Sequence, residues 1–405
     1  MWRKDAAVLA LVVILAACSS DAGVPTTTTS ETTTTTIAVT TTTTQPSRSS
    51  TTEPSSAATV TPIPIEEPVS LRVLAVRGNN PPSLAILDLS GGETTIYEMG
   101  VHALSADPVD GAVATPNGDW IIWSNGIAYQ FSDSLDTIEV QLGPDPPRQV
   151  SGYAPALRVV PTPDGTRAWL VQPGITFGSD DYPTLVDLIT LDDASSLLSV
   201  EVDGSAFPIA STNSGLVLNT HRWLDTGDGF VTEPGSETTI HLTDDGATNP
   251  VGDGWAIAAS PTRIARTSDG ELVISDPDGS NQVQVAKPID GTWVNLGGPM
   301  VPSDAMPLQT VSPDGSQLAV SISQKLDANG KPAYSELIAV DLNDASTRTL
   351  AQFDGHTPNA TWSTDGQWIA LLGPEDITLV NTTDPNNTQS LQGVIPREHY
   401  PLAAG

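Results

Sequence analysis

A four-residue turn that keeps returning restricts this chain more than any other feature. Thr115-Pro116-Asn117-Gly118 runs into WIIWS, and Thr162-Pro163-Asp164-Gly165 into TRAWLV. Ser312-Pro313-Asp314-Gly315 leads to SQLAVS, and Ser363-Thr364-Asp365-Gly366 to QWIALL. Weaker copies stand at Thr212-Asn213-Ser214-Gly215, before LVLNT, and at Thr267-Ser268-Asp269-Gly270, before ELVIS. Proline presets φ at the second turn position, Asp or Asn bonds its own backbone, and glycine takes the left-handed conformation. The apolar run behind each glycine reads as a buried strand.

The marker glycines 118, 165, 215, 270, 315 and 366 are spaced roughly 45–55 residues apart, long enough for four short antiparallel strands and typical of propeller blades. Helix-pair repeats do not fit, because almost no segment places apolar residues at i, i+3 and i+4. The markers define blades at about 102–142, 153–202, 207–248, 255–287, 293–353 and 357–391, with insertions at Leu224–Gly235 and Lys325–Tyr334 and a longer loop at Gly174–Pro183. A markerless unit, Leu71–Met99, makes a seventh. It shows three strands and needs a fourth, which the leftover Gln392–Ala403 or Ile63–Ser70 is expected to supply, closing the ring so that no strand edge templates aggregation. The expectation is an all-β, seven-bladed β-propeller over residues 67–405, with six or eight blades as the alternatives.

The pattern S-P-D-G-x-x-L-A before a strand resembles the TolB-type, WD40-like (PD40) propeller repeat, at Ser312–Ala319 and Thr162–Ala168, and more loosely at Thr115–Ile121 and Ser363–Ala370. The Gly-His and Trp-Asp pairs of true WD40 repeats are missing. The resemblance implies a binding platform whose two faces dock partners; it supplies no catalytic set, and no site residue is carried over from it.

Ahead of this head, Met1–Ser20 has a basic start (Arg3, Lys4) and an apolar run from Ala6 to Ala17, too short to span a bilayer but suited to a secretory signal. It ends in Leu15-Ala16-Ala17-Cys18, which resembles the bacterial lipobox, in which the cysteine receives the lipid (diacylglycerol, palmitate) and becomes the new N-terminus; an ordinary secretory signal is the alternative. Cys18 is the only cysteine, so no internal disulfide is available to the fold. Residues 1–17 are read as the signal peptide and 18–66 as a lipid-anchored stalk. The Thr/Ser/Pro-rich part of that stalk is too poor in apolar side chains to offset the entropy of ordering and is expected to be disordered, with O-glycosylation open. About 40 such residues reach up to ~130 Å at ~3.3 Å each, as a tether through a wall layer or a plain spacer. A lipobox with a propeller also resembles actinobacterial envelope lipoproteins.

Composition narrows the chemistry. With 16 basic against 48 acidic residues, net charge −32, the chain repels nucleic acid and anionic headgroups, so neither is an expected ligand and membrane contact is expected only through Cys18. That charge serves solubility or favours basic partners. The histidines at 102, 221, 241, 356 and 399 form no i, i+4 pair and neighbour no cysteine, so no metal site is expected. Asp276-Pro277-Asp278-Gly279-Ser280 reads either as a calcium loop or as a plain hairpin turn. Ser363–Trp368 has the flavour of a sialidase Asp-box (S-x-D-x-G-x-x-W) at the wrong spacing, and no G-x-S-x-G follows the repeats. Trp120, Trp123, Trp169, Trp362 and Trp368 are expected in the core. Trp223, Trp255 and Trp293 lie near loops, where core packing and an exposed aromatic rim are both open. The reading is a monomeric, non-enzymatic interaction scaffold, without cofactor or metal, lipid-anchored on the extracytoplasmic face of the cell membrane. Its partner is an envelope protein or a cell-wall polymer; a carbohydrate-binding module or a propeller glycosidase or lyase is the alternative.

Overall fold

Side-chain alternation along single strands decides the architecture. In Trp120–Ser124, Trp120 and Ile122 join one apolar cluster while Ile121 and Trp123 join another. In Arg167–Gln172, Ala168 and Leu170 point one way, Trp169 and Val171 the other. Successive side chains on a strand face opposite ways, so a strand apolar at every position is sandwiched between two neighbouring sheets. Seven such sheets, each buried on both faces, can satisfy one another only by closing a ring.

The computed structural model shows that ring. It describes residues 55–60, 65–77, 83–98, 109–124, 126–132, 138–142, 157–174, 176–177, 180–181, 183–221, 223–225, 230–232, 236–294, 310–326, 332–355, 357–373, 376–395 and 400–405. The signal peptide, Cys18 and the stalk up to residue 54 lie outside the described residues, as do His102, His356 and His399. Among the described residues there is no helix, and seven antiparallel sheets make a seven-bladed β-propeller.

From the axis outward, blade 2 is Gly111–Ala114, Trp120–Ser124, Ile127–Phe131 and Ile138–Leu142; blade 3 is Arg158–Pro161, Arg167–Gln172, Thr184–Thr190 and Ser196–Val202. Blade 4 is Ser205–Thr212, Gly215–His221, Thr238–Thr243 and Thr248–Asp253; blade 5 is Trp255–Ala259, Ile264–Ser268, Glu271–Ser275 and Val283–Gln284. Blade 6 is Thr292–Val294, Gln317–Leu326, Pro332–Asp341 and Thr347–Asp354; blade 7 is Asn359–Trp362, Trp368–Leu372, Ile377–Asn381 and Thr388–Leu391. Blade 1 combines Arg72–Arg77, Ser83–Asp88 and Glu93–Glu98 with an innermost strand, Tyr400–Ala404, from the C-terminal end. The leftover C-terminal piece therefore closes the ring. A further strand, Ser55–Val60, lies inside the span assigned to the stalk and pairs with Glu93–Glu98, covering the outer edge of blade 1.

Seven apolar clusters fill the seven interfaces. The one between blades 7 and 1 joins Trp368, Ala370 and Leu379 to Val73, Leu87 and Ala404. The others follow in order around the ring, from blades 1 and 2 to blades 6 and 7. The five tryptophans expected in the core are all buried, and Trp293 joins them between blades 5 and 6.

One repeat marker is misplaced. Asp269 and Gly270 do not form the first turn of blade 5 but join its second and third strands, both with positive φ (52° and 77°). That is the signature of a two-residue type I′ hairpin, for which Asp-Gly is favoured. The first turn of this blade is Ser260–Arg263, where the Ser260 amide donates to the Arg263 carbonyl without any glycine. The insertion at Leu224–Gly235 includes a small hairpin, Trp223–Asp225 with Phe230–Thr232, and that at Lys325–Tyr334 prolongs two ten-residue strands.

Two histidines are sealed into blade 4. His241 Nε2 lies 3.0 Å from Thr212 Oγ1, and the His221 ring stacks on Phe207 at 5.2 Å and tilts against Trp255 at 5.5 Å. Burial holds both imidazoles below the ordinary 6.5, against the pull of Asp244 and Asp278 on His241 and of Glu237 on His221. As pH falls through 6.5 the unfolded chain takes up protons that the native state still refuses, so stability declines there and levels off below the depressed native values. Urea midpoints are expected to drop between about pH 7.5 and about pH 5.5; an unchanged slope in a chain carrying His221→Gln and His241→Gln would refute this assignment. Deleting residues 400–405 is expected to abolish cooperative unfolding and expose blade 1 to aggregation. Leu197→Ala, at a site 49% exposed, should shift stability by no more than about 0.5 kcal/mol.

Candidate functional site

Because each blade is an up-and-down meander, its first-to-second and third-to-fourth turns emerge on one face of the ring. The repeated Ser/Thr-Pro-Asp-Gly turns therefore gather around one mouth of the central channel, with the third-to-fourth turns outside them. Their geometry repeats. The hydroxyl of Ser312 donates to Asp314 Oδ1 at 2.6 Å, Thr162 to Asp164 at 2.5 Å and Ser363 to Asp365 at 2.6 Å. The same hydroxyls accept from the amides of Gln317, Arg167 and Trp368. The first turn residue thus ties the carboxylate to the start of the next strand, a role the repeat pattern alone did not reveal. The Ser312 hydroxyl, then the Ser316 amide, hold the Asp314 carboxyl below the usual range; in the outer turn of blade 3 the Thr190 hydroxyl holds Asp193 at about 2.

The turns also brace one another across the blades. Arg72 Nη2 donates to the Gly118 carbonyl at 2.6 Å and Asn117 Nδ2 to that of Gly165 at 2.9 Å. The Asn213 amide donates to Pro261, the Thr364 amide to Ser70, and Trp362 Nε1 to Thr310. Gly165 is required twice over: its φ is +66°, and a Cβ there would sit 2.8 Å from the Asn117 side chain.

On this face a cleft of about 500 Å³ opens between blades 6 and 7. Its walls include Asp314 and Gln317 from one turn, Asp365 from the next, Thr382 and Thr383 from the outer turn of blade 7, and Arg348 from the outer strand of blade 6. Arg348 Nη1 donates to the Thr382 carbonyl. In Asp314 and Asp365, Oδ1 is held by the turn, while Oδ2 has no protein partner among the described residues. Trp362, whose Nε1 donates to the Thr310 carbonyl, also lines the cleft.

The channel wall has a different character. The innermost strands read YPLAA, GAVA, RVVP, SAFPIAST, WAIAA, TWV and NATW. They contain no carboxylate, and Arg158 is their one charged residue. Residues 295–309, which follow the first strand of blade 6, lie outside the described residues.

The remaining candidates are placed as follows. Asp276–Ser280 is the outer turn of blade 5. Asp276 Oδ1 takes Arg263 Nη1 at 2.5 Å and Oδ2 takes Asn281 Nδ2 at 2.6 Å, while Asp278 Oδ1 holds the Ser280 amide, so protein donors take three of the four carboxylate oxygens and the turn has the bonding of a plain hairpin turn. Among the described residues no group of three His, Cys, Asp or Glu could hold a metal ion. Trp255 is half-buried against His221; the Trp223 side chain lies outside the description, so an aromatic rim is not assembled from these residues.

No family model matches the sequence, and no curated protein matches it. The fold does match solved structures. Acylaminoacyl peptidase from Pyrococcus horikoshii is 10% identical, with a TM-score of 0.51 over 83% of this chain and 52% of that one. TolB from Acinetobacter baumannii is 14% identical, with a TM-score of 0.42 over 84% and 68%. A putative TolB from Agrobacterium tumefaciens is 12% identical, with a TM-score of 0.39 over 74% and 95%. At such identities the likeness is one of fold alone: this chain is a seven-bladed β-propeller whose solved neighbours include TolB proteins.

Proposed function

We propose that the protein is an extracytoplasmic lipoprotein, anchored through Cys18, whose propeller head is a non-enzymatic interaction platform in the bacterial cell envelope. The observation that carries the platform reading is the channel wall. Propeller enzymes of the glycosidase type converge carboxylates on the axis, and here the innermost strands among the described residues bring one arginine, apolar residues and neutral polar ones, with no carboxylate. The anchoring half rests on Leu15-Ala16-Ala17-Cys18 behind an apolar run with a basic start. A head rigidified by buried interfaces and inter-blade turn contacts loses little conformational entropy when a partner docks, and a surface of this net charge favours a basic partner while the lipid keeps it at the membrane.

Cross-linking on intact cells, followed by mass spectrometry, tests both halves. Wild-type protein is expected in the membrane fraction, with envelope proteins cross-linked to the head. Cys18→Ala should shift it out of that fraction; equal membrane levels for the two would rule out lipid anchoring. If the wild-type head yields no reproducible cross-linked protein, the scaffold reading fails.

A further inference from the structure

In blades 3, 6 and 7 the residue two positions beyond the marker glycine (Arg167, Gln317, Trp368) points at the next blade, as Arg72 does at the start of the second strand of blade 1, and its identity decides whether the space behind the turns is filled. Between blades 3 and 4, Arg167 Nη1 pairs with Asp244 Oδ2 at 2.8 Å and plugs it. Between blades 7 and 1, the equivalent Trp368 fills it with an indole packed on the Leu71–Leu89 side of blade 1. Between blades 1 and 2, Arg72 lies over the Trp120 ring at 5.6 Å. Between blades 6 and 7 the position is Gln317, and opposite it stand Thr382 and Thr383 instead of an aspartate. Neither an ion pair nor an aromatic ring forms, and the cleft of about 500 Å³ stays open.

The walls of this cleft both give and accept hydrogen bonds. Gln317 and Arg348 supply N–H donors, Thr383 a hydroxyl that does either, and Asp314 and Asp365 each present an unpartnered Oδ2. An ammonium or guanidinium ligand can only donate, and a carboxylate or phosphate can only accept; vicinal hydroxyls on a ring do both. Two carboxylates against one guanidinium, on a chain of net charge −32, oppose an acidic sugar, while a basic side chain, although drawn to the carboxylates, would leave the Gln317 and Arg348 donors unmatched. The volume falls in the range of small-ligand sites. We propose that the cleft between blades 6 and 7 is a binding site for a neutral saccharide, one or two sugar rings of a longer glycan, held by Asp314 and Asp365 as acceptors and Gln317 and Arg348 as donors. This site does not depend on the protein-docking reading, since sugar binding and partner cross-linking can succeed or fail separately.

The test is titration calorimetry on the full-length chain, with cellotetraose, mannotetraose and arabinotetraose as neutral probes and tetragalacturonate and tetralysine as charged ones. At least one neutral probe is expected to bind. Gln317→Arg with Thr382→Asp rebuilds the Arg167–Asp244 plug and should weaken that binding at least ~10-fold with the melting temperature kept. Asp365→Asn keeps the turn's acceptor and turns the free oxygen into a donor; it should weaken binding ~3- to 10-fold, and it carries the comparison if the plugged variant does not fold. No neutral binding up to ~10 mM, binding unchanged in these variants, or binding of a charged probe alone would each overturn the proposal.

Discussion

Everything in this head depends on sheets that have no free face. A strand such as Trp120–Ser124, buried at every position, cannot be satisfied by one partner sheet, and a stack of such sheets always leaves two faces bare until it bends into a ring. With one cysteine in the chain, no internal disulfide helps hold that ring, so its integrity comes from the seven interface clusters and from the seam in blade 1. There the C-terminal strand Tyr400–Ala404 serves both neighbours, Ala404 packing toward blade 7 and Ala403 toward blade 2. The seam converts an end-to-end repeat into a cooperative unit: losing this strand exposes two interfaces at once, which is costlier than losing an outer strand.

The turns add a second layer of constraint. In blades 3, 6 and 7 the Ser or Thr hydroxyl links its Asp to the amide that begins the next strand, so the turn's geometry and the strand's register are set together. Contacts such as Asn117 to Gly165 then pass the register from blade to blade. The carboxylates used in this way are acceptors first and surface charges second, which accounts for much of the acidic composition on this face without invoking a ligand. Asp193, Asp245, Asp278 and Asp344 are likewise held through Oδ1; what sets Asp314 and Asp365 apart is that their carboxylates line one cleft.

The blades were legible because two signals coincide in sequence: a chemically demanding turn, and a fully apolar strand right behind it. Blade limits drawn from the markers agree with the sheets to within a few residues at most edges, for instance 153–202 against Arg158–Val202. The reading slipped where the turn chemistry was ambiguous. Asp269-Gly270 has the letters of the repeat, but two successive positive φ values make it a hairpin tip on the opposite face, while Ser260-Pro261-Thr262-Arg263 turns without glycine. Ser55–Val60 was invisible because a short Ser/Ala/Thr segment has no apolar pattern of its own; what orders it is the unpaired edge of Glu93–Glu98, a property of the folded sheet.

The cleft was illegible for a related reason. Nothing in Gln317 or Thr382 is unusual locally, and the two lie far apart in the chain. They acquire meaning only beside Arg167 and Asp244, which fill the corresponding space elsewhere in the ring. A propeller presents one inter-blade gap several times over, so each unfilled copy can be judged against filled ones in the same molecule. Repetition thus turns a substitution that is neutral for the fold into a local difference in binding capacity. The scaffold tolerates that difference because the apolar cluster between them, rather than the plug, holds blades 6 and 7 together.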